Sequence, residues 1–233
     1  MSTAAATPAD PTRHFAFWPK RIPRELETPD TSLWANLDIT HRRYADRPAF
    51  VFFDRVTTYR ELFASVEKLA GWLQQIAGVK KGDRVALCLQ NSPQFVIAYY
   101  AVLRADAVVV PVNPMNKADE LGHYIGNAQA HVAFASSDIA PELAKASASP
   151  EAASALRHLI VFDLADALPE DHARQIGQWP NAWQNWLPVR HALPTAPEVQ
   201  AHRWADVLAK RATPSNVQVN GGDLALLPYT SGT

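Results

Sequence analysis

The feature that most constrains this fold is a series of short apolar runs separated by amphipathic segments. The runs "RVALCLQ", "DAVVVPV", "HVAFASS" and "HLIVFD" are apolar at successive positions rather than at every second one. A strand that is buried on both faces has this pattern, because neither face meets water. Strands of this kind that alternate with helices predict an α/β protein with a doubly wound, mainly parallel sheet and helices on both faces.

The intervening segments carry helix start and stop signals. In "TTYRELFASVEKLAGWLQQIAG", Thr58 and Glu61 have the spacing of a capping box, and Gly78 lies where the helix should end. In "NSPQFVIAYYAVLRA", Ser92 is suited to the N-cap and Pro93 to the first helical position. We therefore predict long, well-capped helices between the first apolar strands.

Other segments carry weaker signals. We expect a strand at "AFVFFD" and a last strand in "DLALL", and helices at "TSLWANLDITHRRYADRP", capped by Thr31 or Ser32, at "NKADELGHYIGNA", at "PELAKASAS" and at "HRWADVLAKRA". Between about residues 164 and 222 the regularity fades. The three tryptophans there, Trp179, Trp183 and Trp186, are open to two interpretations, an aromatic binding platform or a surface insertion anchored by its own aromatics, and we favour the insertion.

Composition changes near residue 30. Residues 1–30 are rich in Pro, Thr and Ala and contain the aromatic and basic stretch "HFAFWPKRIPR". We expect a flexible leader at 1–30, although this stretch could also pack as an arm on a neighbouring surface, and an α/β domain portion over 31–233. The start lacks the apolar core of a secretory signal, which favours a cytoplasmic protein.

Charge and cysteine content exclude several classes of protein. The 22 basic and 23 acidic side chains give a net charge of -1, so no global field recruits nucleic acid. The longest apolar stretch, residues 95–112, is interrupted by Arg104 and Asp106 and should not span a bilayer. Cys88, the single cysteine, excludes an internal disulfide and is interpreted as inert packing rather than as a nucleophile. The eight scattered histidines show no spacing typical of a zinc site.

The candidate binding residues are the last four, Thr230, Ser231, Gly232 and Thr233, in "DLALLPYTSGT". A phosphate loop needs backbone N–H donors, hydroxyl groups and a glycine where the chain approaches the ligand closely. The pentapeptide "YTSGT" supplies these groups but lacks the glycine spacing and the lysine of the common Walker sequence. Taken alone, such a cluster more often makes a turn.

Several motifs in order give this loop a context. "TTYRELF", "GDRVALCLQNSPQFVIAYYAVLRADAVVVPVNP" and "DLALLPYTSGT" resemble the adenylate-forming (AMP-binding) superfamily, and "HFAFWPKRIP" and "TSLWANL" are most similar to bacterial long-chain fatty acyl-CoA ligases. The resemblance extends from His14 to Thr233. It implies an enzyme that converts a fatty acid and ATP into an acyl-adenylate and pyrophosphate, and then transfers the acyl group to CoA with release of AMP.

The resemblance also implies which residues bind the cofactors. In that family the loop continues to a Pro-Lys-Gly sequence and holds the ATP phosphates with Mg2+; only Thr230, Ser231, Gly232 and Thr233 match it here. No catalytic residue is assigned, and the Mg2+ and CoA sites are expected beyond this sequence. We therefore expect an N-terminal portion, cut within its phosphate loop, that is inactive alone and that could form homodimers through exposed sheet edges.

Asp106 departs from the family pattern, since "RADAV" stands where relatives usually have Arg-Ala-Gly-Ala. If this is a helix end with positive φ, aspartate can occupy it at modest cost, and we interpret it as a cap rather than as a catalytic acid. Two alternatives to the ligase remain. One is a non-catalytic scaffold that kept the fold; the other is a flavodoxin-like or dinucleotide-binding protein, which the sequence disfavours because a glycine-rich turn after the first strand is missing.

Overall fold

The computed structural model describes residues 11–150, 152 and 155–229. The chain divides into two compact units, Met1–Asp30 and Thr31–Thr233. The described part of the first unit contains one short 3-10 helix, Arg13–Phe17. The second unit holds the sheet and all the α-helices of the described chain.

The second unit alternates strands and helices along most of its length. The strands are β1 Pro48–Phe52, β2 Arg55–Thr58, β3 Arg84–Cys88, β4 Val108–Pro111, β5 Val132–Ser136, β6 His158–Phe162 and β7 Gln200–Arg203. The helices are α1 Leu33–Tyr44, α2 Tyr59–Gln75, α3 Pro93–Arg104, α4 Ala118–Ala128, α5 Ala140–Ala146, α6 His172–Gln175, α7 Asn181–Gln184 and α8 Trp204–Ala209. Two further 3-10 turns follow β6 and α6.

Five strands form one parallel sheet in the order β4-β3-β5-β6-β7. Val85 of β3 pairs with Val109 on one side and with Val132 on the other, so β3 is a central strand. The chain builds outward from β3 to β4 and then returns to the other side of β3 to place β5. This reversal is the switch point of a doubly wound sheet, and the predicted fold class is confirmed.

Both faces of the sheet are covered by helices, as its apolar strands predict. Val85 and Leu87 of β3 point into the larger cluster, which α1, α2, α3 and α8 close with bulky side chains such as Trp72. Ala86 and Cys88 point the opposite way, into a cluster of mostly small residues closed by α4 and α5. Burial raises the pKa of the Cys88 thiol to about 12, so this cysteine is inert packing.

The predicted helix ends are confirmed. Ser32 caps α1 by accepting a hydrogen bond from the backbone N–H of Ala35 at 3.3 Å. At the start of α2, the Thr58 backbone N–H donates to Glu61 at 2.8 Å, and the Glu61 N–H donates back to the Thr58 hydroxyl at 3.3 Å. Gly78 follows α2 with a φ of 72°, the left-handed conformation that commonly ends a helix. The Ser92 cap of α3 is present as well.

The strand expected at "AFVFFD" belongs to a separate hairpin. β1 pairs antiparallel with β2, and Phe53 and Asp54 make the turn with φ values of 45° and 65°. Two consecutive residues with positive φ suit the tight turns that join antiparallel strands. β2 was not predicted from the sequence. Its residues, "RVTT", end at Thr58, which is also the N-cap of α2, so the strand has no separate boundary signal.

Two expectations about the last elements need correction. The helix predicted from His202 begins only at Trp204, because His202 and Arg203 belong to β7. β7 reads "QAHR", which carries little apolar signal because it lies at the edge of the sheet. The last strand expected at "DLALL" is reduced to a single parallel bridge between Leu226 and Val109.

Two tryptophans of the irregular segment pack on one aromatic residue and the third contacts a different part of the domain, so the three do not form one platform. The rings of Trp179 and Trp183 lie 5.0 Å and 5.4 Å from that of Phe53. Trp186 Nε1 donates a hydrogen bond to Asp138 at 3.0 Å. These aromatics therefore anchor the segment to the domain. None of the helices within the described ranges is long and apolar enough to cross a membrane.

Candidate functional site

The predicted phosphate-binding residues Thr230, Ser231, Gly232 and Thr233 lie outside the described residues. The structure does describe the chain that leads to them. We call residues 212–223 the strap and residues 224–229 the approach segment. Together they determine how the chain enters the candidate loop.

The approach segment runs beside β4. The Val109 backbone N–H donates to the Ala225 carbonyl at 2.9 Å, and the Leu227 N–H donates to the Val109 carbonyl at 2.9 Å. These two bonds form the parallel bridge at Leu226. The chain therefore passes the outer edge of the sheet in the same direction as β4.

Tyr229, the residue before the candidate loop, is fixed to α4. Its hydroxyl donates a hydrogen bond to Asn127 Oδ1 at 2.6 Å, and its ring lies 4.5 Å from that of Tyr124. Burial and the neighbouring Tyr124 raise the pKa of the Tyr229 phenol, so the neutral donor form is favoured. The candidate loop thus follows a residue whose side chain is fixed, two positions after the last backbone bond to β4 at Leu227.

The strap lies against α2 at a glycine. A Cβ at Gly71 would fall far inside van der Waals contact with the carbonyl of Ala212, so only glycine permits this approach. One turn further along α2, the Gln75 side-chain amide donates to the Thr213 carbonyl. Gln74 Oε1 accepts a hydrogen bond from the Ser215 N–H at 2.8 Å. One face of α2 therefore binds the first residues of the strap through their backbone.

Arg104, the last residue of α3, joins α2 to the strap. Its Nε lies 2.5 Å from Glu67 Oε1, and its Nη1 donates to the Ser215 carbonyl at 2.5 Å. The guanidinium also lies over the Trp34 ring, 5.5 Å from its centre. A largely buried arginine is stable here because its charge is paired and its donors are used.

Asp106 extends the same anchor. It has a φ of 62°, so the expected helix end with positive φ is confirmed. Its two carboxylate oxygens each lie 3.2 Å from the Gln218 backbone N–H, and the residue is only 6% exposed. Burial raises the pKa of this carboxyl, which the hydrogen bond from Gln218 opposes. Sequence reasoning missed this contact with the strap; the acid in a usual glycine position was the available signal.

Lys81 binds the far end of the strap. Its ammonium donates to the Gln218 carbonyl at 2.9 Å and forms a salt bridge with Asp223 at 2.9 Å. Asp223 also accepts a hydrogen bond from the Asn220 N–H at 2.9 Å. Both contacts lower the pKa of the Asp223 carboxyl, with the bond to Lys81 contributing most. The strap is therefore anchored at both ends.

A cleft of about 520 Å³ opens near the carboxyl ends of β3, β6 and β7, between the hairpin and the first turn of α3. Arg55 lies at this cleft and donates from Nη1 to the carbonyls of Asp166 and Leu168 at 2.9 Å and 3.3 Å. Gln94 also lines it, is 3% exposed, and its Oε1 has no hydrogen-bond partner among the described residues. The cleft is large enough for a small molecule.

A polar cluster at the ends of β5 and β6 could be mistaken for a nucleophilic triad. Ser137 Oγ lies 3.0 Å from His191 Nδ1, and Asp163 is buried nearby. Asp163 Oδ1, however, accepts from the His191 backbone N–H at 3.3 Å rather than orienting the imidazole. Its other oxygen accepts from Arg203 and Arg190. The cluster holds the loop around residue 191 in place and lacks the triad arrangement.

The described residues offer no built metal centre. No group of three or more His, Cys, Asp and Glu side chains in the described ranges is placed to hold a metal ion. The donor set of the candidate loop consists instead of hydroxyl groups and backbone amides. Such donors suit phosphate oxygens.

Comparison with known proteins places the chain among enzymes of one family. The family model described as AMP-binding enzyme matches residues 37–233. A long-chain-fatty-acid–CoA ligase of Salmonella typhimurium is 32% identical over 218 residues, which cover 93% of this chain and 37% of that protein. A ligase of the same name from Bacillus subtilis is 34% identical over 154 residues, which cover 66% of this chain and 27% of that protein. The chain thus spans well under half the length of these relatives.

Solved structures share the fold. An anthranilate CoA ligase in complex with anthranoyl-AMP aligns with a TM-score of 0.67 at 17% identity, covering 88% of this chain and 33% of that one. A long-chain-fatty-acid-CoA ligase from Archaeoglobus fulgidus aligns with a TM-score of 0.61 at 23% identity, covering 90% of this chain and 36% of that one.

Proposed function

The chain belongs to the AMP-binding enzyme family, and from that premise we propose that it is the N-terminal portion of the large domain of an ATP-dependent fatty acyl-CoA ligase. The ligase joins a fatty acid to CoA through an acyl-adenylate, with release of pyrophosphate and AMP. One observation carries the proposal. The family match continues through an anchored approach segment to the Thr-Ser-Gly-Thr sequence at 230–233.

The proposed role of this chain in the first half-reaction is to bind phosphate. Backbone N–H groups of residues 230–233 and the hydroxyls of Thr230, Ser231 and Thr233 would donate hydrogen bonds to ATP phosphate oxygens. ATP supplies the adenylyl group that activates the carboxylate. Donors that are fixed before the reaction stabilise the charge that develops on the phosphates without first having to be ordered.

The anchored segments would supply that order. Val109 holds the backbone of the approach segment, and Asn127 holds the side chain of Tyr229. Displacement of a positioned group by about 1 Å can cost roughly a hundredfold in rate. We propose that the strap and the approach segment are positioning elements for the loop.

The remaining cofactors and the acid are proposed from family membership. We propose that the complete enzyme uses Mg2+ with ATP and takes CoA as the acyl acceptor, with both sites outside this chain. A medium or long fatty acid is favoured because the curated relatives at 28–34% identity are long-chain-fatty-acid ligases. One of the more distant structural neighbours is named as a ligase of an aromatic acid, anthranilate. The specificity for the acid is therefore tested below.

Acid-dependent exchange of labelled pyrophosphate into ATP tests this function in the complete polypeptide that carries the sequence. We expect exchange with fatty acids and a preference that rises from short to long chains. Strong preference for benzoate-like acids would refute the fatty-acyl assignment. The 233-residue chain alone should release no acid-dependent pyrophosphate above a no-enzyme control, because the other family elements are absent from it.

The alternative is a scaffold that retained the fold without catalysis. The exchange assay separates the two, since a scaffold shows no exchange with any acid while it still folds.

We further propose that the protein works in the cytoplasm, with peripheral contact at the inner membrane, and that the isolated chain forms homodimers. Exposed Leu224 and Leu227 beside the outer edge of β4 support self-association.

A further inference from the structure

The first unit carries a surface that the proposed reaction does not use. We name it the basic-aromatic face, and it consists of Arg13, Phe17, Lys20, Arg21, Ile22 and Arg24. In the sequence these residues precede the α/β unit, which begins at Thr31.

The charges on this face have one sign. Residues 11–24 contain four cationic side chains, at 13, 20, 21 and 24, and no aspartate or glutamate. Acidic residues resume immediately afterwards, at Glu25, Glu27 and Asp30. These four positive charges form a local excess between Asp10 and Glu25, in a chain whose 22 basic and 23 acidic side chains give a net charge of -1. Attraction to an anionic surface must therefore be local to this stretch rather than a property of the whole molecule.

Large apolar side chains lie among these charges. Phe17 is 89% exposed and Ile22 is 52% exposed. An apolar side chain gains from leaving water, whereas a lysine or arginine beside it can keep its charge at a polar boundary. This mixture suits the interface of a bilayer, where an apolar layer lies beneath charged headgroups.

The face is braced by contacts within its own unit. Trp18 Nε1 donates to the carbonyls of Ile22 and Pro23 at 3.0 Å and 3.2 Å. The Phe15 ring meets the Trp18 ring edge-on at 5.8 Å, and the Arg24 guanidinium lies 5.3 Å from the centre of the Phe15 ring. These contacts hold the turn that presents Lys20, Arg21 and Ile22. A braced turn loses less conformational freedom when it binds than an extended segment does.

We propose that the basic-aromatic face docks on an anionic lipid bilayer, with Phe17 and Ile22 entering the interface and the four cations contacting lipid phosphates and other anionic headgroup atoms. Charge complementarity selects this occupant, because clustered lysine and arginine next to apolar groups bind anionic membranes electrostatically. The inference deepens the proposed membrane localisation by naming the surface responsible. It does not depend on the ligase activity.

Co-sedimentation of the 233-residue chain with lipid vesicles tests the proposal. One set of vesicles contains phosphatidylcholine alone, and the other contains about 30% phosphatidylglycerol, at low salt. We expect binding to the anionic set only, and its loss at about 0.5 M salt, where electrostatic attraction is strongly screened. Lys20→Glu/Arg21→Glu should weaken binding by roughly 30-fold or more, and Phe17→Ser by roughly 5-fold to 10-fold.

A charge-matched variant on another surface provides the control. Arg43→Glu/Arg47→Glu makes the same change in net charge at two exposed arginines near the end of α1. It should bind anionic vesicles like the unchanged chain, and circular dichroism should show all the variants folded. The proposal is refuted if the unchanged chain does not bind, if both double variants lose binding equally, or if a short DNA duplex binds this face in place of vesicles. Binding retained by Lys20→Glu/Arg21→Glu would leave the membrane localisation standing and reject this surface.

Discussion

The parallel sheet and the strap are held in place by opposite means. In the sheet, β3, β5 and β6 are buried on both faces, and side chains such as Phe134 and Phe162 are fully enclosed. The strap has little apolar burial, and single polar groups fix its backbone at Gln74, Arg104 and Lys81. Burial is shared among many neighbours, whereas each polar anchor acts at one point.

This difference separates folding from function in the molecule. The sheet should account for most of the free energy of unfolding, because burial of apolar surface is the dominant favourable contribution. The strap should contribute a smaller share of that free energy than the sheet does, and it determines where the approach segment and residue 229 lie. Variants in the two regions should therefore differ: those in the sheet should lower the free energy of unfolding most, and those at the strap should lower it less and also release one segment.

The largest effect should come from the sheet. Phe134→Ala opens a cavity in the larger cluster beneath Trp204 and should cost about 3–5 kcal/mol of unfolding free energy. Denaturant unfolding followed by circular dichroism measures this loss. A cost below about 1 kcal/mol would contradict the central role of the sheet.

The next largest effect should come from the contact between α2 and the strap. Gly71→Val places a side chain against the Ala212 carbonyl and should cost about 2–3 kcal/mol. Hydrogen exchange should show faster exchange across residues 212–218, with the sheet still protected. Gly222→Val, in the strap itself but with open space around it, is the matched control and should leave exchange unchanged. Equal behaviour of the two variants would show that close approach to α2 does not hold the strap.

Asp106 distinguishes an anchor from a mere helix cap. Asp106→Ala removes the acceptor for the Gln218 N–H and leaves a positive φ on alanine, so it should cost about 2 kcal/mol. Asp106→Asn keeps an acceptor oxygen and should cost less than about 1 kcal/mol at pH 7. Chemical denaturation of both variants measures the difference. Identical losses would show that the carboxylate does not hold the strap.

Asp106 also predicts a pH dependence. Because burial raises its pKa in the folded state, the folded protein holds this proton more tightly than the unfolded chain does. The contribution of this group to stability is therefore greatest in acid and decreases as pH rises from about 4 through the folded pKa. The difference in unfolding free energy between the unchanged chain and Asp106→Asn should change in that direction. A difference that stays constant across this range would contradict the burial effect.

The smallest effect should come from a polar contact inside the sheet. His158 Nδ1 lies 3.1 Å from His202 Nε2 between β6 and β7, and Trp72 packs against both rings. Burial lowers both pKa values, and the neighbouring His202, His131 and Arg157 lower the pKa of His158 further. The neutral rings are thus favoured in the folded state, and their contribution to stability is lost as pH falls below about 6.5.

The melting temperature measured between pH 8 and pH 5 checks this contact. We expect the melting temperature to fall by roughly 2–4 °C from pH 8 to pH 5. The fall should be smaller in His202→Gln. An unchanged pH profile in His202→Gln would show that the pair does not sense acid, and a change in hydrogen exchange confined to the strap would place the sensor there instead.

The difference between the sheet and the strap also explains which features could be predicted from the sequence. The apolar runs of β3 to β6 and the caps at Ser32, Thr58 and Ser92 are local patterns, and each predicted the element that formed. β7 was missed because an edge strand with polar residues has no such pattern. The strap could not be predicted, because Arg104 reaches Ser215 and Asp106 reaches Gln218 across more than 100 residues. A single sequence does not show which distant backbone groups such a side chain will meet.

The candidate loop could be predicted in part. Residues 230–233 were identified from their chemistry and from the order of the surrounding motifs, while the anchors of the approach segment became visible only in the structure. The bond from Tyr229 to Asn127 is an example, since neither residue marks a partner in the sequence.

Pyrophosphate exchange by the complete polypeptide with Gly232→Val tests the central claim most directly. If residues 230–233 form part of a phosphate cradle, the unchanged protein exchanges pyrophosphate in the presence of a fatty acid. Gly232→Val should then lose about a hundredfold or more, because a side chain displaces the backbone donors, while Gly177→Val, outside the strap and with open space around the glycine, keeps its rate. Equal rates for Gly232→Val and the unchanged protein, or no exchange with any organic acid, would contradict the account.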